Sequence, residues 1–323
     1  MASTTETSRP PGSGGDNGTG SLKEPPHHYV VAGRDRRLAV DTWGDPNGTP
    51  VFLMHGTPGS RLGPRPRVAE LYRRGIRLIS YDRPGYGHSD RLIKRQVKDA
   101  AEDVTLIAEW LGLGRFSVVG RSGGGAHALA VAALLPERVD RVAAMVSLAP
   151  REAEGLDWYA DMIESNVAAY ERADEEAYEQ FVEGLLRDRR APIAGTNGDA
   201  GHLIEELNRE WDESDRIVVS DSGIRVQLRR TYSEALRYDS EAGGWVDDVL
   251  ALTRDWGFRP EDIPSQVKTL LWHGQRDRYS PPGHTRWLGE HIKHATVVVE
   301  EEAAHFMALT RLPEVLTWAA SED

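Results

Sequence analysis

Ser122 lies in the segment VVGRSGGGAHALA, in which a β-branched run leads into Gly-Arg-Ser-Gly-Gly and then into small helix-forming residues. Glycines on both sides of a serine allow a strand to turn sharply into a helix, so that the serine stands exposed and strained between them. Such a serine is a candidate nucleophile. The pentapeptide alone is weak evidence, because glycine-rich turns also carry solvated serines. A nucleophile needs a base, an acid and an oxyanion site elsewhere in the chain.

Candidates for the acid and the base follow two short apolar runs of the kind that form strands. Asp277 follows VKTLLWHG, and His305 follows TVVVE at the start of a final helical segment. A serine hydroxyl becomes nucleophilic when an imidazole accepts its proton, and a carboxylate holds that imidazole in the required tautomer. The predicted triad is therefore Ser122, Asp277 and His305. Glu152 and Glu154, which follow the run ending in SLAP, are the alternative acids.

An oxyanion site is expected after the run VFLM, in the segment HGTPGS. This loop would turn back over Ser122, and Thr57 is the expected backbone donor because Pro58 has no amide hydrogen. Gly123, which follows the serine, is the expected second donor. His55 is also in this loop, and we interpret it as a structural residue that bonds to the loop around it.

The elements that would position these residues alternate along the chain. Apolar runs rich in Val, Ile and Leu alternate with helical segments, namely VFLM, IRLISYD, FSVVG, VAAMVSLA, VKTLLWHG and TVVVE. This alternation predicts an α/β fold with a mainly parallel sheet covered by helices on both faces. Functional groups gather at the carboxyl ends of such strands. Upstream, HYVVAG and RLAVDTWG are expected to pair as a hairpin at the sheet edge, with Gly33, Arg34 and Asp35 in the turn.

The middle of the chain has a different composition. Residues 151–258 contain 26 Asp and Glu against 12 Arg and no Lys, which gives a net charge of −14. Apolar residues such as Leu156, Tyr159 and Met162 recur there at three- and four-residue spacing, and strand-like runs are scarce. Because this region follows a strand expected to end near Leu148, we predict a helical cap inserted into the α/β domain.

These patterns predict a specific domain organisation. The core is expected over 27–150 and 263–323, with the cap insertion over 151–262 between the two parts. Residues 1–26 are rich in Gly, Pro, Ser and Thr and lack the apolar stretch of a secretory signal, which predicts a disordered tail.

Composition limits the classes of function. The chain has 323 residues, 39% of them hydrophobic, with a formal net charge of −12 and no cysteine. Acidic character disfavours nucleic acid as a partner, and we expect neither a membrane segment nor disulfides. A cytoplasmic protein acting on a small molecule is expected, and the oligomeric state is left open. We expect no cofactor, because the glycines from Gly123 to Gly125 lack dinucleotide-binding spacing. We expect no metal, because a serine nucleophile does not need one.

Taken together, the motifs resemble those of the α/β-hydrolase-fold superfamily. They are HGTPG after one strand, YDRPGYGHSD after the next, the elbow GRSGGG, then GQRDRYSPP, and a final histidine in AAHF. The resemblance covers about 27–150 and 262–323 and places the acidic region at the family's variable cap. It implies that Asp82 to Gly87 form a structural loop. Ala304 precedes the candidate base where many relatives have glycine.

A serine at the elbow implies an acyl-enzyme, whereas aspartate would indicate a dehalogenase or an epoxide hydrolase. We therefore predict a serine hydrolase that cleaves a carboxylic ester or lactone of a small or medium uncharged substrate. One alternative is an amide hydrolase related to the proline iminopeptidases, although HGTPG and an elbow without tryptophan differ from that group. Another is a non-catalytic ligand-binding protein.

The cap would set the specificity of such an enzyme. Its candidate pocket residues, which either line a pocket or pack the cap itself, are Trp158, Tyr159, Met162, Trp211, Trp245 and Trp256. The cap acids Asp157, Asp161 and Glu164 would hold a substrate ammonium group in an aminopeptidase. We expect them to face solvent instead, because an unpaired buried carboxylate is costly.

Overall fold

The computed structural model describes residues 26–33, 36–175, 178–190, 200–237 and 243–321. Residues 1–25 of the predicted tail, and Arg34 and Asp35 of the predicted turn, lie outside the described residues. The strands are β1 (His28–Ala32), β2 (Arg36–Gly44), β3 (Thr49–Met54), β4 (Ile76–Tyr81), β5 (Phe116–Arg121), β6 (Val139–Met145), β7 (Lys268–Gly274) and β8 (Thr296–Glu300).

The strands form one sheet in the order β1-β2-β4-β3-β5-β6-β7-β8. The first two are antiparallel to their neighbours, and β3 to β8 are parallel. The predicted α/β class, the edge hairpin and the mainly parallel sheet are therefore confirmed. Because the parallel strands all point the same way, the loops after β3, β5, β7 and β8 lie together at the carboxyl ends of the strands.

Helices cover both faces of the sheet. They are α1 (Val68–Arg73), α2 (Ala100–Trp110), α3 (Gly123–Leu134), α4 (Glu164–Glu175), α5 (Tyr178–Arg190), α6 (Gly201–Asn208), α7 (Glu213–Ser220), α8 (Ser222–Ala235), α9 (Gly243–Thr253), α10 (Pro282–His291) and α11 (Met307–Ala319). Helices α2, α3 and α10 pack on one face, and α1 and α11 pack on the other.

The central strands are apolar throughout because they are buried from both sides. In β5, Val118 faces the core beneath α3 and Val119 faces the core beneath α11, and both are fully buried. Each such side chain stabilises the fold by roughly 1.5–3 kcal/mol relative to an exposed one. A continuous apolar run of this kind is the pattern expected for a parallel sheet.

Strand β6 ends earlier than the apolar run in the sequence. The expected end was near Leu148, but the strand stops at Met145. Val146 adopts φ 46°, in the left-handed region that β-branched residues rarely occupy, which takes the chain out of the sheet. The remaining apolar residues of the run therefore lie beyond the end of the strand.

Helices α4 to α9 all lie between β6 and β7, and the described residues of this stretch contain no strand. This helical content agrees with the insertion expected from the sequence, and the bounds 151–262 stay a prediction. Among the described residues, no helix is long and apolar enough to cross a membrane.

Candidate active site

Ser122 occupies a sharp turn between β5 and α3. Its φ of 55° and ψ of −129° are strained for a residue with a side chain, which costs roughly 1–3 kcal/mol. The Ser122 amide donates a 2.8 Å hydrogen bond to the carbonyl oxygen of Met145, which fixes the turn against β6. A Cβ atom on Gly120 would overlap the carbonyl oxygen of Gly124, and one on Gly124 would overlap that of His55. Glycine is therefore required on both sides of Ser122.

Asp277 and His305 come together from the loops after β7 and β8. Nδ1 of His305 donates a hydrogen bond to Oδ2 of Asp277 at 2.8 Å. The other carboxylate oxygen accepts the amides of Tyr279 at 2.8 Å and Ser280 at 3.1 Å. These bonds hold the carboxylate in place, and they direct Nε2 of His305 away from Asp277.

Asp277 is held in its ionised form. Burial by itself would raise the pKa of Asp277, but the charge of His305 and the hydrogen bonds from His273 and His305 keep it well below the usual aspartate range. The ring of His273 is fully buried, with Nε2 at 3.3 Å from Oδ2 of Asp277. An ionised carboxylate in this position stabilises an imidazolium at His305.

Ser122 and His305 line one cavity, together with Thr57 and Gly123. A Cβ atom on Gly123 would overlap the Thr57 side chain, so the two predicted oxyanion residues are in close approach. Within the part of the chain that the structure describes, neither backbone amide has a hydrogen-bond acceptor. Both amides are therefore available to a ligand in this cavity.

His55 organises the loop that carries Thr57. Its Nδ1 donates to the carbonyl oxygen of Gly56 at 2.8 Å, and its Nε2 accepts the amide of Arg83 at 3.1 Å. Burial, reinforced by the charge of Arg83, lowers the pKa of His55 well below its usual value, so the ring is neutral. These contacts support the structural interpretation of His55.

The motif DRPGYG also supports this loop. The guanidinium of Arg83 donates to the carbonyl oxygens of His55 and Gly56. On the same side chain, Nη2 lies 2.5 Å from Oδ2 of Asp248, on helix α9. Asp248 carries no motif in the sequence, and sequence reasoning missed it. Its only signal was a pair of aspartates, Asp247 and Asp248, in an otherwise apolar helical run.

Apolar side chains form part of the cavity wall. They include Leu148, Ala169, Tyr170, Leu203, Leu207, Trp245, Val249 and Phe306. Among the six cap residues singled out in the sequence, Trp245 alone lines this cavity in the described structure. The other five pack elsewhere; the Trp158 indole, for example, donates to the carbonyl oxygen of Ala149 at 3.0 Å.

The acidic candidates lie away from the cavity. Glu152 and Glu154 are exposed, and neither lines the cavity with Ser122. The cap acids Asp157, Asp161 and Glu164 are also exposed, as expected. Among the described residues, no cluster of His, Asp and Glu is arranged to hold a metal ion.

Comparison with known proteins agrees with this architecture. A family model described as alpha/beta hydrolase fold matches residues 49–312. A proline iminopeptidase of Neisseria meningitidis is 26% identical over 80% of this chain and 84% of its own length. A pimeloyl-[acyl-carrier protein] methyl ester esterase of Nitrosomonas europaea is 26% identical over 83% of this chain and 92% of its own length.

Solved structures share the fold at lower sequence identity. The enol-lactonase of Burkholderia xenovorans LB400 superposes with a TM-score of 0.58 at 21% identity. The alignment covers 90% of this chain and 97% of the lactonase.

Proposed function

The chain belongs to the alpha/beta hydrolase fold family, and from this premise we propose that it is a serine hydrolase of carboxylic esters or lactones. Ser122 is the nucleophile, His305 the general base and Asp277 the residue that orients the imidazole. The observation that carries the proposal is the strained Ser122 in one cavity with His305, whose Nδ1 is bonded to Asp277 at 2.8 Å.

In the first half-reaction, Nε2 of His305 takes the Ser122 hydroxyl proton as Oγ attacks the ester carbonyl carbon. The amides of Thr57 and Gly123 hold the oxyanion of the tetrahedral intermediate. His305 then gives the proton to the leaving alkoxide oxygen, the C–O bond breaks and an acyl-serine ester remains. In a lactone this oxygen stays tethered to the acyl chain.

In the second half-reaction, His305 removes a proton from water and the resulting hydroxide attacks the acyl-serine carbon. The same two amides hold the second oxyanion. Its collapse releases a carboxylic acid and returns the proton to Ser122. Besides the substrate and one water molecule, these steps involve only side chains and backbone amides of the chain.

The charge of the cavity favours esters over aminoacyl amides as substrates. An aminopeptidase needs a carboxylate to bind the substrate ammonium group, and the described residues lining the cavity include no Asp or Glu. One relative is named a proline iminopeptidase, so peptidase activity is the alternative to be tested.

An active-site serine phosphonate tests the nucleophile. We expect mass spectrometry to find the label on Ser122 alone, and we expect Ser122→Ala to abolish both labelling and hydrolysis of 4-nitrophenyl esters. Label on another residue, with activity lost, would remove Ser122 from this role. A parallel panel of lactones and aminoacyl amides separates the substrate classes, and faster turnover of the amides would favour the peptidase alternative.

A further inference from the structure

Arg121, which directly precedes Ser122, is a buried cation in the wall of the cavity. Its side chain is 9% exposed, and it lines both the cavity that contains Ser122 and a smaller neighbouring one. The guanidinium carbon lies 5.9 Å from the ring centre of Phe306. A Cβ atom on Gly56 would come within 3.5 Å of Nη2 of Arg121. The charge is thus beside the oxyanion loop.

Within the described ranges, burial and the charges of nearby groups act on this guanidinium, and no side chain pairs with it through a hydrogen bond. Asp215 and Asp277 act on it electrostatically, but both carboxylates are bonded elsewhere. Oδ1 of Asp215 accepts the amide of Phe306 at 2.6 Å, and Oδ2 of Asp277 accepts Nδ1 of His305. Because a guanidinium does not lose its proton in a protein, five strong donors are left without an acceptor.

Burial of an unpaired charge is costly. Burial lowers the pKa of Arg121. The other buried arginines near the loop each form an ion pair with a carboxylate. Arg83 and Arg95 each lie 2.5 Å from Asp248, and Arg61 lies 2.7 Å from Asp82. Arg121 therefore differs from these arginines because no carboxylate of the described residues is in contact with it.

Tyr232 provides a second donor on the same wall. It lies on α8, is 5% exposed and lines the cavity, and burial raises the pKa of its hydroxyl, so the group stays protonated. Within the described ranges, burial and the charges of Arg121 and Asp215 act on this hydroxyl, and no hydrogen bond does. The charge of Arg121 acts on it directly. A guanidinium and a phenol in one cavity, whose described lining residues include no carboxylate, are suited to bind an anion.

We propose that Arg121 and Tyr232 bind a carboxylate carried by the substrate, so that the esters or lactones cleaved at Ser122 are anionic. This inference rests on the proposed function and makes the substrate more specific. It also differs from the uncharged substrate expected from the sequence, in which Arg121 was only the variable residue of the elbow motif.

The test compares two 4-nitrophenyl esters of similar length. One is the half-ester of glutaric acid, whose free carboxylate is the proposed ligand, and the other is the uncharged hexanoate. Half-esters of succinic and adipic acid shift the position of the charge. We expect kcat/KM for at least one half-ester to exceed that for the hexanoate by about 10-fold or more, mainly through a lower KM.

Arg121→Met removes the charge and keeps most of the length of the side chain. We expect it to lower kcat/KM for the preferred half-ester by about 10- to 100-fold and to change the hexanoate value by less than about 3-fold. Arg121→Lys is expected to recover part of the preference. Arg225→Met, on the exposed face of α8, removes the same charge away from the cavity and serves as the control.

Tyr232→Phe gives a second measurement if Arg121→Met does not fold. Loss of one hydroxyl is expected to weaken half-ester turnover by about 3- to 10-fold with the hexanoate unchanged. Hydrolysis of the hexanoate without preference for any half-ester would overturn the inference and leave the proposed function intact. Equal losses on both esters would also overturn it.

A binding experiment separates the two proposals when no ester is hydrolysed. Monomethyl glutarate and dimethyl glutarate are titrated into Ser122→Ala protein while tryptophan fluorescence is followed, since Trp245 lines the cavity. We expect the monoanion to bind more tightly, and Arg121→Met on this background to remove the difference. Such binding without hydrolysis would retain the anion site and overturn the proposed function, whereas equal affinities would overturn the anion site.

Discussion

The hydroxyl of Thr57 donates a 2.6 Å hydrogen bond to Oδ2 of Asp248, which joins the loop after β3 to helix α9, 191 residues later in the chain. Asp248 is fully buried and also accepts the hydroxyl of Tyr86 at 2.8 Å. Burial would raise the pKa of Asp248, but Arg83 and Arg95 hold it well below the usual range. One ionised carboxylate therefore ties the proposed oxyanion loop to the helical insertion.

Asp248→Asn is expected to destabilise the protein by about 3–5 kcal/mol, because it leaves Arg83 and Arg95 buried without an anion. Both arginines lie 2.5 Å from this carboxylate. Urea unfolding at neutral pH measures the change. Asp157→Asn, at an exposed position, is the matched control and is expected to change stability by less than about 0.5 kcal/mol. Equal effects of the two substitutions would show that the buried cluster is not needed.

Asp277→Asn is expected to lower kcat by about 10³- to 10⁴-fold, because an amide favours the wrong tautomer of His305. Only a carboxylate accepts from Nδ1 and stabilises the imidazolium at the same time. Glu154→Gln is the control, since Glu154 is exposed and does not line the cavity. Steady-state kinetics on a 4-nitrophenyl ester compare the two variants. A larger loss at Glu154 would reassign the acid.

The strands and their loops could be predicted because the signal for them is local. Each core strand is an apolar run, and Ser122, Asp277 and His305 each follow such a run directly. Arg121 gave no local signal, and the only one at Asp248 was the pair of aspartates in an apolar run. Their importance comes from which groups surround them after folding, and a buried charge with distant partners looks in the sequence like any surface charge.

The glycines of the elbow explain why its motif has a fixed spacing. A Cβ atom on Gly124 would overlap the carbonyl oxygens of Met54 and His55, which are backbone atoms that cannot move aside. We expect Gly124→Ala to abolish activity and to lower the thermal unfolding midpoint. Gly114→Ala is the control, since no atom of the described residues lies within 4 Å of its added Cβ and Gly114 has a negative φ. Full activity in Gly124→Ala would show that the turn has room for a Cβ atom at this position.

The buried imidazole of His284 predicts a pH dependence of stability. Burial lowers the pKa of His284 to about 3, against an ordinary value of 6.5. Between these pH values the unfolded chain binds a proton that the native state does not, so native stability falls as the pH falls. The slope is about 1.4 kcal/mol per pH unit for one such histidine.

His284→Phe removes this titration and keeps a ring against Trp158, whose centroid lies 5.1 Å away. It also loses the acceptor for the Ala149 amide, so it is less stable at pH 7. We expect its free energy of unfolding to decrease less steeply than that of the wild type from pH 6.5 to pH 4. Urea unfolding at several pH values gives both slopes, and other titrating groups cancel in the comparison. Parallel curves would contradict the lowered pKa.

The exposed cap acids distinguish the ester hydrolase from the aminopeptidase. Asp157, Asp161 and Glu164 are all exposed, and none lines the cavity with Ser122. Exposed carboxylates outside the cavity are screened from the reacting atoms by solvent and salt. We therefore expect the triple variant with Asn, Asn and Gln at these positions to keep its kcat and KM for neutral esters within about 2-fold.

Substrates that carry an amine provide the decisive comparison for the same triple variant. If these acids bound a substrate ammonium group, their neutralisation would raise KM for aminoacyl amides and leave neutral esters unaffected. We expect no such selective effect, because the carboxylates face solvent and the cation in the cavity wall, Arg121, repels an ammonium group. A large rise in KM confined to amine-bearing substrates would contradict this expectation and favour the peptidase over the esterase.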